Sequence, residues 1–162
     1  MWLGSLPAIG LDSRIKPLAA EREPMSTRPV VEVAVGVLMD ATGAVLLGQR
    51  PVGKPYAGYW EFPGGKIESG ETLFAALHRE LQEEIDVRID DAKEFMVLEH
   101  DYPHAYVRLH ICLVKSWQGQ ARGLENQALG WLNIKDVDQL HTAGFDPILP
   151  ATLPILEKLK RI

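Results

Sequence analysis

The chain has a single cysteine, Cys112, among 162 residues. A disulfide within the chain is excluded, and a lone thiol inside the apolar run Leu109–Val114 reads as a core side chain rather than a nucleophile. Such usage fits a reducing cytoplasm. Long apolar stretches are also missing: nothing approaches the roughly 18–20 continuous apolar residues that a membrane-spanning helix needs. No run of Lys or Arg occurs, and the net charge is −5. That balance lacks the basic face required for duplex DNA or RNA. Repeats and low-complexity tracts are absent. What remains, 46 % hydrophobic and 24 % charged residues, suffices for one globular domain with a real core.

Residues 1–28 stand apart. Pro7, Pro17 and Pro24 punctuate a stretch with neither helix nor strand period. It lacks the basic start and unbroken apolar segment of a signal peptide. The expectation is a poorly ordered arm at 1–28 ahead of a folded domain at 29–162. Met25 stands just before the first strand, so two origins stay open: an upstream start codon, or an arm that packs on a partner subunit.

The rest alternates strands with two helical stretches. Val30–Met39 is rich in β-branched residues and reads as a buried strand, turned by Asp40–Gly43 into a returning strand at Ala44–Arg50, together a hairpin. Pro51–Gly58 is a loop broken by Gly53, Pro55 and Gly58. Tyr59–Phe62 is short and aromatic, and Pro63-Gly64-Gly65 forces a tight turn. Ser69–Thr72 opens a helix whose apolar positions Leu73, Leu77 and Leu81 recur at i+4. Glu94–Tyr102 and Tyr106–Trp117 look like an antiparallel pair. Leu129–Ile134 is a further strand, and Thr152–Arg161 a closing helix with Ile155, Leu156 and Leu159 facing inward. This pattern predicts an α/β (α+β) fold, a mixed β-sheet between helices.

Residues 65–87 are the most informative. Glu80, Glu83 and Glu84 lie at i, i+3 and i+4 on the predicted helix, so three carboxylates project from one side. They crowd a helix C-terminus, where the macrodipole is already negative and Lys or Arg would stabilise better. Hard oxygen ligands set against the dipole suggest a divalent cation, Mg²⁺ above all. Three glutamates in five residues also describe a solvated acidic face, and on those residues alone both readings stand.

The wider spacing separates them. Gly65, five residues, Glu71, seven residues, Arg79-Glu80-Leu81, one residue, Glu83-Glu84, then Val87: this resembles the Nudix box in every defining position but one. The family has glycine where this chain has Asp86, at the end of the helix. Asp tolerates the left-handed conformation usual there. The resemblance runs from about Val30 to Ile162 and is to the MutT-like subgroup, which removes pyrophosphate from nucleoside triphosphates and clears 8-oxo-dGTP from the nucleotide pool.

The resemblance implies an α/β/α sandwich and a Mg²⁺-dependent pyrophosphohydrolase, with Mn²⁺ as a substitute metal, a small nucleotide as partner, and a monomer or homodimer. Glu80, Glu83 and Glu84 would be metal ligands, with the Gly64 carbonyl completing the inner shell and Glu125 as a further candidate; a plain loop glutamate is the alternative for Glu125. Glu80 is also a candidate base. Arg79 would pair with Glu71 or with a ligand carboxylate and hold it in position. Glu61-Phe62-Pro63-Gly64-Gly65-Lys66 matches the stretch before the box in the subgroup, and Arg50 matches its phosphate- or base-contacting arginine. Phe62 and Tyr102 are either core aromatics or nucleobase contacts.

Two departures bear on substrate. Thr152 stands where the subgroup has an asparagine that reads the oxidised purine, and a threonine offers one hydroxyl rather than a donor–acceptor pair. Ala105 stands where a loop of the subgroup has arginine. A pyrimidine triphosphate or a nucleotide sugar is therefore an open alternative to 8-oxo-dGTP. A non-catalytic nucleotide-sensing module would be favoured by loss of the box carboxylates, and all of them are present.

Overall fold

The computed structural model describes residues 28–162. The expected arm, apart from Arg28, lies outside the described residues. In chain order the elements are β1 (Val30–Leu38), β2 (Ala44–Gln49), β3 (Trp60–Glu61), β4 (Gly64–Lys66), α1 (Leu73–Ile85), β5 (Arg88–Ile89), β6 (Lys93–Tyr102), β7 (Ala105–Val114), β8 (Trp117–Gln118), β9 (Leu129–Asn133), a 3-10 helix (Ile134–Gln139), α2 (Leu140–Ala143) and α3 (Thr152–Leu159).

Period-two alternation in β1 builds two cores at once. Ala34 and Leu38 meet Ala76, Leu77, Leu81 and Ile85 of α1. Val35 and Val37 point the other way, into a cluster with Ile155, Leu156 and Leu159 of α3. Between the helices lies a four-stranded sheet of order β4-β1-β7-β6. Its β1–β7 pair is parallel, while β1–β4 and β6–β7 are antiparallel. This is the expected sandwich of a mixed sheet between helices. A second, antiparallel sheet of order β3-β2-β9 packs beside it.

One expectation is corrected. The turn at Asp40–Gly43 exists, held by Asp40 accepting the Thr42 and Ala44 N–H groups at 2.8 and 3.0 Å, but β1 and β2 do not form a hairpin. Only a bridge at Met39–Val45 joins them, after which β2 leaves for the second sheet. The reason is that both edges of β1 are already taken by β4 and β7. A smaller difference follows in β7, which stops at Val114, leaving Trp117 to pair with Ile89 in a separate two-stranded ribbon.

The ends of α1 match the sequence reading. Thr72 caps the start by accepting the Ala75 N–H at 3.1 Å, the usual service of an N-cap hydroxyl. Asp86 closes the helix in the left-handed conformation, at φ 59° and ψ 36°. No helix of the described residues is long and apolar enough to cross a membrane.

Candidate active site

A cleft of about 720 Å³ opens along the exposed end of β1 and β7, between α1, α3 and the loops before β3 and β9. Its two ends differ in chemistry. One is lined by carboxylates, from Glu61, Glu80, Glu84 and Glu125; the other is largely apolar, with Val107, Leu109 and Leu149.

The carboxylate end is delivered by β4 crossing the last turns of α1. Gly64 accepts no side chain, because a Cβ there would lie 2.1 Å from the Ala34 carbonyl oxygen. Gly65 is crowded from the helix side, where a Cβ would stand 2.3 Å from the Glu80 carboxyl carbon, the end of a movable side chain. These two glycines let the strand lie directly against the helix carboxylates. The Gly64 N–H donates to Glu84 Oε2 at 3.1 Å.

Burial pushes the Glu84 carboxyl up to about 8, with the nearby charges of Glu125, Glu80 and Glu61 adding to the rise and the Gly64 N–H opposing it. Burial likewise raises Glu61, against the pull of Arg50. Glu125, sequence-distant and in a loop, is thus brought to the same carboxylate group. Glu83 is not: its side chain is 61 % exposed and pairs with Arg79 at 3.4 Å. A residue one position from Glu84 is rotated by about 100° around the helix, which carries it out of the cleft.

Arg79 organises the carboxylates from outside the cleft. It donates to both Glu71 oxygens at 2.9 and 2.8 Å, to Glu80 Oε1 at 2.8 Å and to the Lys66 carbonyl at 3.0 Å. The guanidinium, helped by the Glu68 N–H, holds Glu71 down to about 2. Glu71 therefore serves Arg79 rather than the cleft, and Arg79 fixes the Glu80 carboxylate, which is only 15 % exposed.

The remaining expected site residues divide. Arg50 lines the cleft but is already engaged, with Nη1 donating to the two Glu61 oxygens at 3.0 and 3.1 Å and Nε to the Pro55 carbonyl at 2.6 Å. Lys66 is exposed at the rim. Thr152 is buried, at 3 % exposure, in the wall of the apolar end. Phe62 and Tyr102 are core residues, 5 % and 4 % exposed, that reach the cleft with one edge. Tyr102 is further tied down by accepting the Ala151 N–H at 3.0 Å. Pro63 is buried outside the cleft lining, its carbonyl accepting the Gly36 N–H at 2.9 Å.

Sequence reasoning missed the apolar wall and two loop residues, Lys54 and His104, that line the same cleft. The wall had a signal: Ala105, Val107 and Leu109 alternate along β7 and share a face. A lysine in a Gly/Pro loop and a histidine in a turn carry none.

Among the described residues no three His, Cys, Asp or Glu side chains are set to enclose a metal ion as they stand. Arg79 and the Gly64 N–H occupy oxygens of Glu80, Glu83 and Glu84. The donor set nonetheless fits a hard divalent cation, being all oxygen. The burial and mutual repulsion that raise Glu84 are also what such a cation would relieve.

A pH dependence follows. A carboxyl raised on folding keeps its proton in the native state after the unfolded chain has lost its own. Its effect is a loss of stability that begins above the unfolded value, near 4.5, and is complete above the folded value, near 8. The metal-free protein should therefore lose thermal midpoint between about pH 5 and pH 8.5, and Mg²⁺ should raise the midpoint more at about pH 8 than at pH 6. Differential scanning fluorimetry across that range, with and without Mg²⁺, checks this. A Glu84→Gln variant with the same slope as wild type would assign it to other groups.

The architecture and sequence have known counterparts. The NUDIX domain model matches residues 30–151. The 8-oxo-dGTP diphosphatase of Escherichia coli is 33 % identical over 132 residues, covering 82 % of this chain and 98 % of that protein. The CTP pyrophosphohydrolase of the same organism is 33 % identical over 128 residues, covering 79 % and 90 %. A solved MutT NUDIX hydrolase from Burkholderia pseudomallei superposes with a TM-score of 0.69 at 27 % identity, covering 80 % of this chain and 98 % of its own. With its box laid across β4 and α1 and its carboxylates gathered at one end of a nucleotide-sized cleft, this chain belongs to the NUDIX family, as a hydrolase of phosphoric anhydride bonds.

Proposed function

We propose that the chain hydrolyses nucleoside triphosphates to monophosphate and pyrophosphate with Mg²⁺, Mn²⁺ serving as a substitute, and that it clears oxidised nucleotides such as 8-oxo-dGTP from the cytoplasmic pool as a monomer or homodimer. One observation carries the reading: a single cleft joins a half-exposed carboxylate end to an apolar end closed by Thr152, Leu149 and Tyr102. The first suits metal-bound phosphates, the second a planar base.

A divalent cation at the carboxylate end would neutralise phosphate charge and make water a better nucleophile. Glu80, Glu84 and Glu125, with the Gly64 backbone, would hold it, and Glu83 would join them only by leaving Arg79 and turning in from the solvent side. Arg79, backed by Glu71, keeps the Glu80 carboxylate in one place, which suits Glu80 as the group that takes the proton of the attacking water. Lys66 and Arg50 border the phosphates, and Phe62 and Thr152 the base. NUDIX hydrolases generally need a divalent metal, and this donor set supports that need here.

The test is an activity screen with Mg²⁺ over 8-oxo-dGTP, dGTP, CTP and dCTP, resolving pyrophosphate from phosphate. Release of pyrophosphate in one-to-one ratio with the monophosphate supports the reading; phosphate as the only inorganic product, or no turnover on any triphosphate, overturns it.

A pyrimidine triphosphate is the second reading, favoured by Thr152 in place of the purine-reading asparagine and by the relative named as a CTP pyrophosphohydrolase. A site deprived of one member of a hydrogen-bonded pair loses selectivity. Thr152→Asn should accordingly raise the 8-oxo-dGTP/dGTP ratio of kcat/KM, by about 10-fold if one buried hydrogen bond is regained. Strong discrimination by wild type, unchanged by Thr152→Asn, would place base reading elsewhere in the cleft.

A further inference from the structure

The cations at the carboxylate end are unequally committed. Arg50 donates to both Glu61 oxygens and to the Pro55 carbonyl. Arg79 is spread over Glu71, Glu80, Glu83 and the Lys66 carbonyl. Lys54 differs: its ammonium reaches Glu125 Oε2 at 3.5 Å, with the two side chains 51 % and 40 % exposed. An exposed pair of this length is weak and readily exchanged.

The pair spans 71 positions of sequence and ties the loop before β3 to the loop before β9 across the cleft mouth. The Lys54 loop is closed at its base, where the Arg50 N–H donates to the Tyr59 carbonyl and the Gly58 N–H to the Arg50 carbonyl, both at 2.8 Å, and is packed on one side only. Tyr56, in a left-handed conformation at φ 58°, lays its ring against Tyr59, Tyr102 and His104 at centroid distances of 5.1, 5.4 and 5.9 Å. On the other side Gly53, at φ 93°, and the fully exposed Val52 leave the turn in solvent. The backbone is therefore fixed just beyond Lys54, and the lysine stem swings from a held base.

We propose that Lys54 exchanges partners in the working enzyme, neutralising Glu125 before substrate arrives and binding the polyphosphate once Glu125 turns to the divalent cation. The inference rests on the pyrophosphohydrolase reading. A lysine is suited to it, because a compact charge with three rotatable donors follows a phosphate as its geometry changes, whereas the planar guanidiniums of Arg50 and Arg79 are locked by paired acceptors. The exchange also conserves charge: a carboxylate passes from ammonium to metal, and the ammonium from carboxylate to phosphate.

Lys54→Gln, Lys54→Arg and Glu125→Gln would be compared in steady-state kinetics on a Mg²⁺–nucleoside triphosphate, and in calorimetric titrations with Mg²⁺ alone and with inorganic pyrophosphate plus Mg²⁺. Lys54→Gln should raise KM about 10-fold, with a smaller fall in kcat, and weaken pyrophosphate binding similarly. Mg²⁺ alone should bind this variant at least as tightly as wild type, since Glu125 has lost its competitor. Lys54→Arg should restore most of the pyrophosphate affinity. Unchanged KM and pyrophosphate affinity in Lys54→Gln would overturn the proposal. So would weaker Mg²⁺ binding in Lys54→Gln that matches Glu125→Gln, because Lys54 would then only tie Glu125 in place. If wild type turned over no nucleoside triphosphate, the functional reading would fail by itself, and the pyrophosphate titration would still decide the role of Lys54.

Discussion

Glu84→Gln is expected to lower kcat/KM on the preferred nucleoside triphosphate by about three orders of magnitude, roughly 4 kcal/mol of transition-state stabilisation. The size follows from where the carboxylate sits. Glu84 is partly buried beside Glu80, Glu61 and Glu125, and that desolvation pushes it up to about 8, so its ionised form is favoured by a cation next to it. The amide is nearly isosteric and can still accept the Gly64 N–H that Glu84 accepts at 3.1 Å. What it removes is the charge. The fold should survive, and near neutral pH the metal-free variant should melt no lower than wild type, because the amide needs no proton to enter the site whereas Glu84 must take one up on folding. Circular dichroism and a thermal melt establish the first point, initial rates with Mg²⁺ the second. Activity near that of wild type would remove Glu84 from the metal site.

Gly65→Ala should cost about 100-fold in kcat while lowering stability little. A Cβ at this position would stand 2.3 Å from both the carboxyl carbon and Oε2 of Glu80, so the carboxylate must move. Because the obstacle is the end of a side chain, it can. A displacement near 1 Å at a reacting group is enough for a loss of about this size. Gly64→Ala offers the contrast. Its Cβ would meet the Ala34 carbonyl oxygen at 2.1 Å, which is backbone and has nowhere to go without breaking the β1–β4 pairing. Gly64→Ala should therefore lose folded protein, and Gly65→Ala folded activity. Melting temperature and kcat measured on both variants separate the two, and a Gly65→Ala enzyme of normal kcat would show that Glu80 works equally well from another position.

The parts of the molecule that were legible in advance share one property: their determinants are close in sequence. The α1 helix declared itself through Leu73, Leu77 and Leu81, its start through the stretch Ser69–Thr72 and its end through Asp86, all close along the chain. The β6–β7 pair was legible because a short connection at Pro103-His104-Ala105 joins strands that must then be antiparallel, the structure trimming the turn to Pro103-His104. The spacing of Arg79, Glu80 and Glu84 belongs to the same class, since a helix of fixed pitch converts it directly into positions in space, whereas Gly65 and Glu71 precede the helix. The closing helix α3 followed from Ile155, Leu156 and Leu159, although it ends at Leu159 rather than Arg161.

The apparent β1–β2 hairpin shows where local pattern misleads. Two strands and a good turn were present, yet β1 gives its edges to β4 and to β7, whose parallel partner register runs from Val30–Tyr106 to Leu38–Val114. Such long-range pairing is set by which surfaces can be buried together, not by the intervening turn.

The site divides along the same line. Sequence by itself determined the family's box, the carboxylates on α1 and the stripe that seats the helix, because helical periodicity is a local property. Tertiary structure alone decided that Glu84 enters the cleft while Glu83 leaves it, that Glu125 and Lys54 face each other across 71 positions, and that Arg50 is held by Glu61. Each of these depends on the path of β4 and of two loops over α1 and β1. That path is chosen by the packing of the two cores, to which residues distant along the chain contribute together.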